Sequence, residues 1–565
     1  MRTSFRAVIF DLDDTLFDCT GSLVEASRRR AAEALVKEGL PMSVEEAYQL
    51  QKELAEVRGP HFQVFDEIGR RYGLGEDTLE AAFKAYNSEE IGADIALFPD
   101  VQPTLKMLRR QGILCFLLTV GHHRRQQAKI RKLGLSSQFD DILVNDLDRG
   151  ALMAECLRYF LSKYNLSPEE VLIVGDRPNE EIRVGNELGM VTAQMLRGRF
   201  SMAEPRDRFE VPSYRINHVF QVPTILRLAD MGKMPSNLRI VAIGGGTGLP
   251  IVLEGCKAYS RNLTAIVAVT DSGRSSGKLR DELGILAPGD VRNCLVALSE
   301  PGEMERRLNE LFQYRFRNGS LEGMSVGNLI IAAMTDMTGS FERGLKVISS
   351  LLNIKGKVLP ATVTDCHVCA ELEDGTVVER EVNVRALNKP RIKRVFLKPE
   401  NVAALDEAVN EIRNADILVF GPGSLFTSVI PNVLVPGIRE AILHSRASRY
   451  YVCNIMTQAG QTDGFNATDH CRALTQHLSD DALDCVVLND AQPTAAVMQR
   501  YRDEAADLVA VDPGVSKLGV RAVTANLIED IPAPRVLWEK QDMLRHDPDK
   551  LADALCRLYG DMDLA

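Results

Sequence analysis

Two carboxylates separated by one residue, Asp11 and Asp13, follow an apolar run in RAVIFDLDDTL. Acidic groups at i and i+2 in a turn at a strand end can share a magnesium ion and a phosphoryl group. A hard cation takes oxygen ligands, and the phosphate oxygens need its charge. A third carboxylate, Asp176, ends the apolar run VLIVGD, with Glu181 shortly after it, and Thr119 ends ILCFLLT. The chemistry this set supports is metal-assisted handling of a phosphorylated small molecule.

A second set is built from small residues. In LRIVAIGGGTGLP, residues 238–250, an apolar strand runs into Gly244, Gly245, Gly246, Thr247 and Gly248 and then an apolar helix. Glycines there let the backbone turn tightly and bring N–H groups to a phosphate, and the following helix points its positive end at the same anion. The spacing is not the dinucleotide G-x-G-x-x-G, so taken alone the loop reads equally as a plain tight turn. The run LTAIVAV then ends in TDSGRSSGKLR, which supplies Asp271, Ser272, Gly273, Ser275 and Ser276, flanked by Arg274, Lys278 and Arg280. These cations can add charge-assisted hydrogen bonds to a diphosphate, although Arg280 reads first as a solvated helix residue. Asp271 stands where nucleotide-binding α/β domains place a carboxylate against ribose hydroxyls. A third turn, in ILVFGPGSLFTS, carries Gly421, Gly423, Ser424, Thr427 and Ser428, the last two of which equally suit a helix cap. Asn454, Gln458 and Asp463 follow the strand YYVCN.

Positioning such loops requires strands that end at one level, and the chain alternates strand and helix twice. The expected fold class is α/β, with two doubly wound, mainly parallel-sheet domains. The first domain is expected over residues 1–200, with a helical stretch at about 18–95 inserted after its first strand. An irregular, Pro-containing connection at 201–236 precedes a second domain at 237–565.

Composition narrows the function classes. The 565 residues are 26% charged and 45% hydrophobic, ordinary for a globular chain. A net charge of −11 argues against extended nucleic-acid binding. No apolar run reaches about 18 residues and the N-terminal stretch turns acidic, so no membrane partner and a cytoplasmic location are expected. The 11 cysteines are scattered, as in a reducing compartment. Cys366 and Cys369 form a C-x-x-C in an alternating strand leading to the turn signal Asp374-Gly375, and read as buried strand cysteines.

From residue 238 onward the segments already quoted, with ELGILAPGDVRNCLVAL, LFQYRFRNG, VGNL, YVCNIMTQAGQTDGFNATDH and DMLRHDP in colinear order, resemble the gluconeogenesis factor family (YvcK). That family is a bacterial branch of the CofD-like superfamily, with a Rossmann-type fold. The resemblance implies a regulator that binds a nucleoside-diphosphate sugar, UDP-N-acetylglucosamine being the expected ligand, and links carbon metabolism to cell-wall synthesis and cell shape. It implies Asp290, Arg292, Asn293 and Asn328 as site-lining positions, and Phe465 and Arg502 as further ligand contacts. The alternative it carries is a nucleotide-dependent phosphotransferase of the 2-phospho-L-lactate transferase type. Two departures stand out: Thr270-Asp271-Ser272-Gly273 where relatives carry DDGG, and Met324 where they carry a His, a loss that leans away from that alternative.

The first set resembles the haloacid dehalogenase (HAD) superfamily with a helical cap. By that resemblance Asp11 is the nucleophile and Asp13 the general acid and base. Asp11, the Asp13 main chain and Asp176 hold Mg2+, Glu181 replaces a usual aspartate, and Thr119 orients the phosphoryl group. The aspartate at position 13 implies a phosphatase. The family's lysine ahead of the helix preceding the Asp176 strand is absent: Met153 falls near its place, and Arg149 is the candidate substitute, a fork rather than a point charge. A binding scaffold without catalysis is the remaining alternative. Homo-oligomers are common among such folds.

Overall fold

The computed structural model describes residues 5–58, 64–88, 91, 95–146, 152–300, 302–529 and 544–562. The chain divides into two compact units, Met1–Gly232 and Lys233–Ala565. The segment 201–236, read above as a connection, therefore folds largely with the first unit.

Among the described residues the first unit holds six strands: β1 (Ala7–Phe10), β2 (Leu114–Gly121), β3 (Asp141–Asp146), β4 (Val171–Gly175), β5 (Val191–Met195) and β6 (Tyr214–Ile216). They form one sheet in the order β3-β2-β1-β4-β5-β6, and every pairing is parallel. Such sheets are covered on both faces, which is why β1 and β4 are apolar and buried along their whole length. After β1 come α1 (Glu25–Lys37), α2 (Val44–Arg58), α3 (Val64–Tyr72) and α4 (Glu76–Tyr86), the expected helical insertion. Ala32, Leu35, Tyr48, Ile68 and Ala82 give it a core of its own. The remaining helices are α5 (Val101–Arg110), α6 (His123–Lys132), α7 (Met153–Tyr164), α8 (Arg183–Leu188) and α9 (Val222–Asp230). Phe160 of α7 stacks on Phe116 of β2 at 4.8 Å between centroids. Burying each such ring contributes about 1.5–3 kcal/mol.

The second unit is built on β7 (Arg239–Gly244), β8 (Asn262–Val267), β9 (Lys357–Pro360), β10 (His367–Leu372), β11 (Val377–Glu379), β12 (Ile392–Lys398), β13 (Ile417–Phe420), β14 (Ser448–Val452), β15 (Cys485–Asn489) and β16 (Arg521–Ala525). Seven of these form a parallel sheet in the order β16-β15-β14-β13-β7-β8-β9. The other three form an antiparallel sheet, β11-β10-β12, with Asp374-Gly375 in the turn joining β10 to β11. Cys366 and Cys369 are buried there, and all 11 cysteines are free. Helices Leu249–Cys256, Arg274–Leu283 and Gly289–Leu298 follow the first two strands and are α10, α11 and α12 below. Among the described residues no single helix is long and apolar enough to cross a membrane.

Both large sheets reverse their winding at one strand, β1 in the first unit and β7 in the second. Open parallel sheets bind ligands in the crevice beyond the carboxyl end of such a strand. In each unit the motif-bearing turn leaves that end.

Candidate functional site

Register brings the first set together. Phe10 pairs with Leu117 on one side and Val174 on the other, and the Asp11 N–H donates to the Val174 carbonyl at 2.8 Å. Asp11, Thr119 and Asp176, distant in sequence, therefore lie at one level of the sheet. Asp11 and Asp176 are buried, and both carboxyls are pushed well above the usual range, first by burial and then by the neighbouring Glu181 carboxylate. Burial likewise raises Glu181 to about 7, against the pull of Arg177. Glu181 lies directly over Gly175, where a Cβ would meet its Cγ at 2.8 Å. Asp14 adopts the left-handed region, φ 56°, and accepts from the Thr20 N–H at 2.7 Å.

Asp13 is treated differently. Lys129 of α6 donates to both its oxygens, at 2.9 and 2.7 Å, and Gln126 to one at 3.2 Å. Burial works against its ionisation, yet Lys129 and Gln126 together hold it below the usual carboxylate range. Met153, the position nearest the expected lysine, begins α7 and is buried with Ile9, Phe116 and Phe160. Arg149 lies outside the described residues. The cation meeting Asp13 thus comes from a helix that sequence reasoning did not consider. The i, i+3 spacing of Gln126 and Lys129 on one face of α6 was the available signal.

The donor set fits a hard cation in one respect that needs no ligand to see. Asp176 Oδ1 and Glu181 Oε2 are buried without a hydrogen-bond partner, as are the hydroxyls of Thr15 and Thr119. Buried polar atoms are ordinarily satisfied, and oxygen atoms of this kind suit magnesium. Among the described residues no three carboxylate, His or Cys side chains form a ready metal cluster. A site of two carboxylates and a main-chain oxygen does not need one.

The second set also converges. The Gly421 N–H donates to the Ile243 carbonyl at 2.9 Å and the Ala268 N–H to the Gly244 carbonyl at 3.1 Å. The three turns after β7, β8 and β13 therefore leave the sheet side by side. Gly248 is required because a Cβ would run into the Pro422 carbonyl. A Cβ on Gly245 would meet Asp290 and, at 3.4 Å, the Cβ of Ser428. Asn293 donates to the Gly246 carbonyl at 3.4 Å. Buried Arg292 donates to Ser325, to Asn328 Oδ1 at 3.0 Å and to Asn293 Oδ1 at 2.9 Å, so it positions amides more than it offers a free fork. In the third turn Asn454 grips Gly423 through both N–H and carbonyl, at 3.0 and 2.8 Å. Ser424 bonds Thr427 at 2.7 Å and Gln461 at 2.8 Å.

The loop amides have partners within the chain. Asp290 accepts from the Gly246 N–H, Asp271 from Gly273 at 2.8 Å, and Glu381 from Ser272 at 3.2 Å. Burial and the charge of Asp271 raise Asp290 to about 6. Burial and the hydrogen bond to Asp271 raise Glu381 to about 8. Glu381, Asn432 and Gln461 were not singled out in the sequence reading. Asn432 secures the glycine loop by donating to the Gly244 carbonyl at 2.9 Å.

Other expectations land elsewhere. Arg280 is buried, paired with Asp365 at 2.9 Å through Nε, which corrects its reading as a solvated helix residue. Ser276 is buried beside Gly289, and the Ser275 side chain is outside the described residues. Phe465 packs edge-on against Phe426 and His470. Arg502 is exposed on the helix Ala495–Asp503. Met324 is buried with Leu279 and Ala332.

Comparison with known proteins adds the following. The profile of 2-phospho-L-lactate transferase CofD matches residues 240–528, and that of haloacid dehalogenase-like hydrolase matches residues 5–189. A gluconeogenesis factor of Halalkalibacterium halodurans is 46% identical over 318 residues, 56% of this chain and 95% of that protein. The gluconeogenesis factor of Bacillus subtilis is 43% identical over 329 residues, 58% of this chain and 99% of that protein. A crystal structure of a UPF0052 family member from Bacillus halodurans superposes with a TM-score of 0.53 at 44% identity, covering 57% of this chain and 99% of that one.

Proposed function

The chain belongs to the CofD-like gluconeogenesis factor family and carries a haloacid dehalogenase-like hydrolase domain ahead of that region, and from this premise we propose a cytoplasmic regulator fused to a phosphatase. The second unit binds a nucleoside-diphosphate sugar, UDP-N-acetylglucosamine, and links carbon metabolism to cell-wall synthesis and cell shape. The observation that supports this reading is the convergence of three small-residue turns at the reversal point of the sheet, the first held by Asn293 and Asn432 and the third by Asn454. A Cβ on Gly246 or Gly273 would make only ordinary contacts, at 3.6 and 3.4 Å, while Asn293 and Ser428 stand beside the glycine loop. A transferase role is less well supported, since Met324 sits in an apolar cluster where relatives place an imidazole.

In the first unit Asp11 attacks the phosphorus of a phosphate monoester monoanion, the ester oxygen leaves with the proton of that phosphate passed through Asp13, and an aspartyl-phosphate forms. Asp13 then takes a proton from water, whose oxygen attacks the same phosphorus, and Asp11 is released as carboxylate. Asp11, the Asp13 carbonyl and Asp176 would hold magnesium, which supplies charge neutralisation when bound. Thr119 orients the transferring group, and Glu181 shapes the pocket behind Asp176.

Calorimetry of the full chain with UDP-N-acetylglucosamine tests the binding half; no heat and no thermal shift at millimolar ligand would reject it. Phosphate release with magnesium, measured against a panel of sugar phosphates, tests the other half. Release that persists in Asp11→Asn would reject Asp11 as nucleophile.

A further inference from the structure

We propose that Lys129 is a positioning residue of the phosphoryl site, supplying from α6 the positive charge that locks the Asp13 carboxylate at the end of β1, in place of a lysine ahead of α7. This assignment rests on the phosphatase reading above and deepens it.

Three observations carry it. Lys129 reaches Asp13 across 116 residues of sequence and donates to both carboxylate oxygens, at 2.9 and 2.7 Å, with its side chain only 5% exposed. Gln126, one turn earlier on the same helix face, donates to Asp13 at 3.2 Å and to the Val120 carbonyl at 2.6 Å. Two donors on one face of α6 therefore address one carboxylate and stop its rotation. Finally, the position nearest the usual lysine is Met153, which is committed to the apolar core.

Among the described residues the ammonium also meets the Phe17 ring, 5.9 Å away, and Cys19 Sγ, 4.0 Å away, neither of which carries a charge to pair with it. Arg177, another cation near these carboxylates, is turned to Glu180 at 2.9 Å and lies over Phe200. An ammonium buried this far is costly to keep without a partner, so Lys129 and Asp13 hold one another. A general acid and base works only when held within hydrogen-bond reach of the proton it moves. Fixing Asp13 from an adjacent helix meets that requirement.

The test uses the full chain with magnesium and p-nitrophenyl phosphate as the probe. Lys129→Met is expected to lower kcat by on the order of 10²-fold, with KM changed by less than about threefold, as for loss of a group that acts in the transition state. Lys129→Arg should recover part of that loss. Added ethylammonium should restore part of the activity of Lys129→Ala, a response that a merely structural lysine would not give. As a readout independent of turnover, Lys129→Met/Asp13→Asn should unfold at a higher temperature than Lys129→Met, because the carboxylate left unpaired is gone. Asp11-dependent release from Lys129→Met within threefold of the parent chain would overturn the assignment alone. So would a loss that follows only the unfolded fraction and ignores the amine. Failure of the parent chain to release phosphate through Asp11 would overturn the phosphatase reading and this assignment with it.

Discussion

At the end of β1, Asp11, Asp13, Asp176 and Glu181 face side-chain cations, Lys129 and Arg177. Beyond β7 and its neighbours, Asp271, Asp290 and Glu381 instead accept chiefly from backbone N–H groups of the glycine and serine loops, with Arg385 also paired to Glu381 at 3.1 Å. Both turns leave the reversal strand of a parallel sheet, and both were read as places for a phosphate. The difference is in what an arriving phosphate would meet. In the first unit two carboxyl oxygens and two hydroxyls are buried without partners, so a metal and a phosphoryl group would gain contacts without breaking any. In the second unit three of the amides expected to cradle a diphosphate already serve the chain's own carboxyls. A diphosphate there must share or displace them, and its binding should depend on whether those carboxyls are protonated.

The largest effect should come from removing the nucleophile of the first site. Asp11→Asn is expected to lower magnesium-dependent phosphate release by on the order of 10³-fold or more, with ligand binding by the second unit unchanged. A parallel loss of UDP-sugar binding would show that the two sites cannot be compared as independent.

Next comes the fit of the second site. Gly248→Ala places a Cβ against the Pro422 carbonyl and should cost about 1–3 kcal/mol of stability, read by chemical denaturation of the second unit. No change would mean that the two turns are less closely apposed than the comparison requires.

The competition between carboxylates and ligand can be sharpened directly. Asp290→Asn should tighten UDP-N-acetylglucosamine binding at pH 8 by about tenfold, or ~1.4 kcal/mol, because the amide side chain carries no charge to oppose the diphosphate. Weaker binding by the variant would make Asp290 a ligand contact in its own right.

The pH dependence follows from the same groups. Asp290, at about 6, and Glu381, at about 8, both lie above their ordinary values of 3.8 and 4.5. The folded chain therefore holds these protons more tightly than the unfolded one. Their contribution to stability is fully present below pH of about 4 and is lost as pH rises through about 6 and then about 8. Thermal unfolding of the second unit between pH 5 and 9 should show this decline, and diphosphate affinity should fall with it. A flat profile would break the contrast with the first unit. The smallest effect is expected at exposed Arg502, where Arg502→Ala should change stability by less than about 0.5 kcal/mol and leave ligand affinity as it was.

Much of this was legible before folding. Asp11, Asp176, Gly244 and Gly421 could be placed at strand ends because a short apolar run followed by turn residues is a local pattern. The buried Cys366 and Cys369 were legible for the same reason. Arg280 was misread because its partner, Asp365, is 85 residues away, and nothing near it in sequence announces the pairing. Glu381 could not be found from its surroundings in VVEREVNV: it reaches Ser272 across 109 residues, through an antiparallel sheet whose placement depends on packing.

The sequence by itself determined the two α/β units and the strands that end in carboxylates or glycines, since periodicity and turn chemistry act over a few residues. Only the tertiary structure decided which distant groups meet those carboxylates: Lys129 for Asp13, the Gly246 amide for Asp290 and the Ser272 amide for Glu381. Charge acts through space and desolvation through the whole surrounding core. The partner of a buried ion such as Asp13 is therefore chosen by which elements pack together, and no short window of sequence contains that pairing.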